Sequence, residues 1–382
     1  MKPFFSFVVP CCDVEPYIEE CLLSILNQSF QDWECILGIE TSKDRTEEIL
    51  REKTAGDPRF RIFTSERTGS CSASRNTGIE MARGEYIIFL DGDDTIADGC
   101  LERLREKICA NPGADLYPCA IVVNDEITGK NELRDNYGAD APAEMNGVES
   151  ALYLDRRLHG NFCPMLQLTV HRREFLVEHD LKCIRGLRHQ DSEFSPRTFY
   201  LAKRIVPIHE PFYLYRIRPN SVQTKARGAD YFLKDWSIIT KSLLAFYDKV
   251  SREDGFDARV VPCWIRQWFS RMNYTWFSPK AQKQISREKR AEWLRFIFED
   301  GFDSYERMMK SGSRGQRLAA FHVRAFAKHP SMRWAADLFF RCYFDLAERN
   351  RPEEKEQLRT AIPPQNGSRR SEFLNRPGQC LR

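Results

Sequence analysis

Over the first hundred residues, short apolar runs alternate with segments whose apolar residues recur at helical spacing. Residues 5–10 read as a buried strand, and Ile18, Leu22, Ile25 and Leu26 then fall on one helical face behind Pro16. Residues 34–39, 60–63 and 86–90 read as a second, third and fourth strand. Asp44 is placed to cap a helix carrying Ile49 and Leu50. Residues 69–82 read as a loop entering a helix that Gly84 ends. Asp98 is placed to cap a helix bearing Leu101, Leu104 and Ile108. This βαβαβ rhythm predicts an α/β domain with a parallel sheet and helices on both faces. Ligands of such sheets bind beyond the C-terminal strand ends. Pro10 to Asp13, Glu40, and Asp91 to Asp94 all fall there.

Residues 115–225 are mixed, with strands expected at 120–123 and 205–208. From Asp230 the pattern changes to amphipathic helices, with Trp, Phe and Leu set among Lys and Arg over 260–277, 288–299 and 316–346. The final stretch is polar and interrupted by Pro and Gly, so a mobile tail is expected there. The division that follows is 1–225, an α/β unit; 226–350, a helical basic region; and 351–382, the tail.

Net charge is +3, but its distribution says more: residues 1–225 sum to −8 and residues 226–382 to +11. One half is acidic and the other basic, so different partners are expected for each. The 13 cysteines include no Cys-x-x-Cys pair, which argues against zinc and, with no disulfide framework evident, for a reducing cytoplasm. No leader or membrane-spanning run is read, so a cytoplasmic protein is expected, with possible peripheral attachment at the inner face of the membrane. Two readings fit the basic aromatic helices of residues 255–346. They meet an anionic membrane surface, or they pack Trp264, Trp268, Trp293 and Trp334 inward. No motif supports nucleic-acid binding.

Chemistry concentrates at Asp91-Gly92-Asp93-Asp94, directly after the fourth apolar run. Carboxylates so close repel one another unless a cation or strong donors stand between them. Oxygen ligands suit Mg²⁺ or Mn²⁺, and Mg²⁺ commonly bridges a carboxylate to substrate phosphates. If the segment is extended, Asp91 and Asp93 project to the same side.

The first 225 residues resemble family 2 glycosyltransferases, inverting enzymes with a GT-A fold. The resemblance is an ordered series: Phe7-Val8-Val9-Pro10; the helix from Glu19 to Gln28; Ser42-Lys43-Asp44-Arg45-Thr46; Ser74-Arg75-Asn76-Thr77-Gly78; the Asp91 to Asp94 motif; His189-Gln190-Asp191; and Tyr215-Arg216-Ile217-Arg218-Pro219-Asn220-Ser221-Val222. It implies a Rossmann-like nucleotide-binding fold followed here by a helical region outside the resemblance. It also implies a nucleoside diphosphate sugar donor, with a UDP-sugar favoured, a glycan or lipid-linked acceptor, and Mn²⁺ or Mg²⁺. Asp93 is then the metal ligand, Asp91 faces the ribose, and Asp191 is the catalytic base. Pro10, Cys12, Glu40, Arg75, Arg216 and Arg218 contribute to donor binding.

The chain departs from the family at three places. Ile39-Glu40 replaces the usual Asp pair, and Glu40 keeps the capacity to accept from a base imide. Cys12 stands where the family carries a stacking Tyr, and Gln190 replaces the usual Glu. Bland readings stand beside these roles. Asp191 suits a helix cap, with Glu193 a competing acid. Arg216 and Arg218 suit strand-edge charges, and Arg75 suits a partner of the acidic rim. Asp44 and Ser42 suit a cap and a turn, and Cys11 and Cys12 suit small residues at a strand end. Phe162, Tyr213 and Tyr215 are sugar-subsite candidates or core aromatics. Asp91-x-Asp93-x-Thr95 also fits haloacid dehalogenase-like phosphatases, although these place the motif on their first strand. A non-catalytic sugar-nucleotide-binding module is the third class.

Overall fold

The structure is a computed structural model that describes residues 2–158, 165–219, 221, 229–269, 285–298 and 302–310, with Arg317 and Phe321. Strands β1 (Phe5–Cys11), β2 (Trp33–Glu40), β3 (Phe60–Ser65) and β4 (Tyr86–Phe89) alternate with helices α1 (Ile18–Leu26), α2 (Thr46–Lys53) and α3 (Ser72–Met81). Next come β5 (Thr95–Ile96), α4 (Cys100–Ala110), β6 (Leu116–Asp125), β7 (Lys130–Arg134) and α5 (Gly147–Leu158). A 3-10 turn (Leu166–Leu168), β8 (Thr169–Arg172), α6 (Arg173–Glu178), α7 (Asp191–Leu201) and β9 (Ile208–Ile217) follow. Beyond them lie α8 (Ala229–Val250), α9 (Val261–Trp264), α10 (Arg287–Phe298) and α11 (Phe302–Lys310).

The sheet runs β3-β2-β1-β4-β8-β6-β9-β5, with β7 paired to β6. Its first four strands are parallel, and β8 enters antiparallel between β4 and β6. Strands β6 and β9 pair in parallel again. Alternation of side chains explains the unbroken apolar runs. Phe5, Phe7 and Val9 of β1 pack with α1 and α4 on one face, through Ile18, Leu22, Leu101 and Leu104. Val8 of β1 and Phe89 of β4 pack on the other face with Ile79 of α3 and Phe194 of α7.

A separate apolar cluster joins α8, α9 and α11 through Leu243, Tyr247, Trp264, Tyr305 and Met308. Trp264 and Trp268 are 3% and 6% exposed and stack with ring centroids 4.8 Å apart. Burying an indole contributes on the order of 4 kcal/mol, so these two rings belong to the packed core and do not face a lipid surface. Trp293 packs against the same cluster. Trp334, Phe162, most of residues 316–346 and the 351–382 segment lie outside the described residues.

Several local expectations need correction. The strand expected at 205–208 begins instead at Ile208, and Ile205 makes only isolated bridges to Leu116 and Met145. Pro207, which has no N–H to give a ladder, precedes that start. Asp98 does not cap α4, whose N-cap is Gly99 in the left-handed region at φ 61°. Gly84 is not a helix cap, since α3 ends at Met81. Its role is close approach: a Cβ there would lie 2.8 Å from the Phe5 carbonyl carbon and the Ser6 nitrogen. Asp44 does serve the start of α2, accepting from the Thr46 N–H at 3.1 Å and the Thr46 hydroxyl at 2.6 Å.

Candidate functional site

The ends of β1, β2, β4 and β9 and the start of α7 open onto one cavity of about 440 Å³. Pro10, Cys12, Glu40, Arg75, Asp91, Asp93, Asp191, Arg216 and Arg218 all line it. Residues far apart in the chain meet there because β1 and β4 pair directly and β9 ends beside the 91–94 turn.

At the β1 end the chain turns through Asp13, which adopts a left-handed φ of 52°. Asp tolerates this conformation better than most residues. Its carboxylate is fixed by the Lys43 N–H at 2.7 Å and by Arg67 at 2.7 Å, and the Asp13 N–H donates to Ser42 Oγ at 3.2 Å. Ser42 is thus a turn residue. Cys11 is buried, whereas Cys12 is half-buried and faces the cavity. Burial pushes both thiols up, so neither is a ready thiolate. Glu40 is 4% exposed, and burial raises its carboxyl to about 7.

The acidic motif is a turn rather than an extended segment: the Asp94 N–H donates to the Asp91 carbonyl at 3.0 Å. Each carboxylate has its own partners. Asp91 accepts from Arg75 through Oδ1, and from Gln167 Nε2 at 2.6 Å through Oδ2. Arg75 is therefore a buried partner of the acidic rim that also reaches the cavity. Asp93 accepts from Arg218 Nε at 2.9 Å. Asp94 is 1% exposed and accepts from the Tyr213 hydroxyl at 2.6 Å and the Arg216 N–H at 2.7 Å. Tyr213 also accepts the Asp91 N–H at 3.1 Å. Its ring is fully buried, so it ties β9 to the turn and does not line a sugar subsite; Tyr215 does line the cavity.

Burial and the neighbouring Asp91 charge raise Asp93 above the usual carboxylate range, and Arg218 opposes them. Burial and the Asp93 charge raise Asp94 much further. A cation beside the turn would relieve that repulsion. Among the described residues no group of three His, Cys, Asp or Glu side chains is arranged to cage an ion. Asp93 lines the cavity, and its carboxylate oxygen is of the kind that would suit Mg²⁺ or Mn²⁺.

Arg216 is held among carboxylates, by Glu20 and Glu126, and its Nε donates to the Asp93 carbonyl at 3.0 Å. Arg218 pairs with Asp93 itself. Asp191 opens α7 and accepts the Ser192 N–H at 2.9 Å. Burial raises its carboxyl, with Arg75 and His189 opposing. Glu193 is fully buried, bonded to Arg197 and Ser242, and not among the cavity-lining residues. Asp191 is thus the acid of this pair that the cavity presents.

Sequence reasoning missed Gln167, Cys71, Met165 and Arg188, all of which line the cavity. Gln190 Nε2 donates to Cys71 Sγ at 2.8 Å, and Arg188 Nε donates to the Gly69 carbonyl at 3.0 Å. Gln167 and Met165 arrive in and just before the 3-10 turn that leads into the antiparallel β8, for which the local sequence gives no distinctive cue.

The family model described as "Glycosyl transferase family 2" matches residues 6–175. The "Uncharacterized glycosyltransferase EpsJ" of Bacillus subtilis is 32% identical over 226 residues, covering 58% of this chain and 63% of that protein. The chain thus spans less than two thirds of that relative's length. The "GalNAc(5)-diNAcBac-PP-undecaprenol beta-1,3-glucosyltransferase" of Campylobacter jejuni is 32% identical over 141 residues, covering 35% of this chain and 45% of that protein. Among solved structures, S. aureus TarS 1-349 in complex with UDP-GlcNAc superposes with a TM-score of 0.65 at 19% identity, covering 85% of this chain and 88% of that one. That last likeness is one of fold.

Proposed function

We propose, from the premise that residues 6–175 form a glycosyl transferase family 2 domain, that this chain is a metal-dependent inverting glycosyltransferase. It moves a sugar from a nucleoside diphosphate donor, a UDP-sugar by preference, to a hydroxyl of a glycan or lipid-linked acceptor in cell-surface polysaccharide assembly. Residues 1–225 are its catalytic unit, 226–350 its basic helical region and 351–382 its tail. It works in the cytoplasm, peripheral to the inner face of the membrane. Attraction there rests on the charge of residues 255–346, because Trp264 and Trp268 are buried.

The observation that carries the reading is that Asp93 and Asp191 line one cavity. In that cavity the Asp191 carboxylate takes the proton of the acceptor hydroxyl as its oxygen attacks the anomeric carbon from the face opposite the diphosphate. A carboxyl raised by burial is better matched to that task than a solvated one. Asp93 would hold Mn²⁺ or Mg²⁺, which when bound offsets negative charge on the departing diphosphate. Arg218 adds a forked donor at the same end, with Arg216 beside it. Arg75 and Gln167 fix Asp91 for the ribose. Glu40, with Pro10 and Cys12 alongside, receives the base.

The phosphatase reading is weaker on two observations. The motif follows the fourth strand of the sheet, and both Asp91 oxygens already accept hydrogen bonds. The test is pure protein with Mn²⁺ or Mg²⁺ and a panel of nucleotide sugars, read by release of nucleoside diphosphate. Metal-dependent release from one donor is expected. Metal-dependent nucleotide binding with no hydrolysis or transfer from any donor would favour the non-catalytic module. A trapped phospho-aspartate at Asp91 would favour the phosphatase.

A further inference from the structure

Helix α8 grips the chain on both sides of Asp191. Asp235 lies close enough to Arg188 and His189 for their charges to oppose the upward push of burial on its carboxyl. Trp236 stacks on the His189 ring with centroids 6.4 Å apart and planes 22° apart. The Ser242 hydroxyl donates to Glu193 Oε1 at 2.7 Å. Arg188 and His189 precede Asp191, and Glu193 follows it. Both carboxylates are buried: Asp235 is 5% exposed and Glu193 is fully buried. A buried carboxylate is costly to strip of its donors, so the Ser242–Glu193 bond resists displacement. Asp235 and Ser242 are seven positions apart in the chain, about two helical turns, and therefore share one face of α8.

Among the described residues, the side-chain hydrogen bond of Asp191 is local to its own helix start. Its carboxylate accepts from the N–H of the next residue, Ser192. Where its carboxylate sits is therefore set by the backbone of residues 188–193. We propose that α8 is a positioning element for transfer: Asp235, Trp236 and Ser242 hold the segment from Arg188 to Glu193 so that the Asp191 carboxylate faces the acceptor side of the cavity. This rests on the reading of Asp191 as base. The helical region then contributes to the reaction without touching either substrate. A displacement of about 1 Å at a reacting group can cost on the order of 100-fold in rate.

The test uses the full chain and the combined substitution Asp235→Asn with Ser242→Ala. The expected result is a fall in kcat of about 10-fold or more, with donor KM and nucleoside diphosphate affinity unchanged within about twofold. In an Asp191→Asn background, the same pair should leave the residual rate unchanged within about twofold, because the positioned group is gone. Ser242→Thr, which keeps the hydroxyl, should retain most of the rate. If the double variant fails to fold, Ser242→Ala alone carries the same comparison. An unchanged kcat beside an inactive Asp191→Asn overturns the role of α8 and leaves the base in place. An equal loss in both backgrounds means general loosening and also overturns it. Normal transfer by Asp191→Asn overturns the base, and this inference with it.

Discussion

Arg218 holds Asp93 across the cavity floor: its Nε donates to Asp93 Oδ2 at 2.9 Å and its Nη2 lies 2.8 Å from the same oxygen. Two cationic N–H groups on one oxygen oppose the burial and the Asp91 charge that raise this carboxyl. In the proposed function Asp93 would hold the cation and Arg218, paired with it, would meet the diphosphate. Asp93→Asn is therefore expected to weaken nucleoside diphosphate binding in Mn²⁺ by about 100-fold and to remove its sensitivity to a chelator. Calorimetric titration with and without chelator checks this. Binding that stays tight and chelator-sensitive would remove Asp93 as the metal ligand.

Tyr213 joins two carboxyl-bearing residues through one hydroxyl, accepting from the Asp91 N–H and donating to Asp94. Tyr213→Phe keeps the ring and leaves Asp94 short of a donor. The expected loss is about 1–3 kcal/mol of stability, read by urea unfolding. A loss of nucleotide affinity should accompany it, because the 91–94 turn loses its tie to β9. Stability within experimental error of the parent would show that the hydroxyl bridge is dispensable.

Glu40 gives a pH-dependent stability. Its carboxyl rises from 4.5 in the unfolded chain to about 7 in the fold, chiefly by burial. The folded state holds this proton more tightly, so the contribution is fully present below 4.5 and is lost as pH rises through about 7. Glu40→Gln does not titrate. Its stability relative to the parent should improve by about 1–2 kcal/mol between pH 5 and pH 8, less than the full shift because solvent reaches the cavity. Urea unfolding at both pH values measures the difference, and no improvement toward pH 8 would contradict the assignment.

Asp191 gives a pH-dependent rate of opposite sign. A general base works only when ionised, and burial raises this carboxyl above the ordinary range. The transfer rate at saturating donor should therefore rise with pH and level off at a pH higher than a solvated aspartate would require. A pH profile of kcat checks it. A flat profile down to the range of an exposed carboxylate would show that Asp191 is not perturbed in the working enzyme.

The parallel half of the sheet was legible because both faces are covered. Phe7 and Val9 point to α1 and α4 while Val8 points to α3, so the strand reads as an unbroken apolar run. The motifs that end these strands were legible too, because carboxylates after such runs stand out. The second half was harder. Strand β8 lies antiparallel between β4 and β6, a pairing fixed by contacts distant in sequence, and with it come Gln167 and Met165. The start of β9 was misread because Ile205 and Val206 are as apolar as a strand, yet pairing in β9 begins only past Pro207. For Tyr213 the sequence leaves a sugar subsite and the core both open, because a Tyr near such a site has two uses, and only the fold shows its hydroxyl turned to Asp94. The buried Glu193 resembled a second acid until Arg197 and Ser242 accounted for it.

One cavity is lined by both Asp93 and Asp191, and the proposed function gives the first the diphosphate to hold and the second the proton to accept. The most direct test of that division is a paired measurement on Asp191→Asn: calorimetric affinity for the donor's nucleoside diphosphate with Mn²⁺, and the single-turnover rate of sugar transfer. The account predicts affinity within about twofold of the parent and a transfer rate lower by roughly 100-fold or more. Transfer at the parental rate, with binding intact, would contradict it.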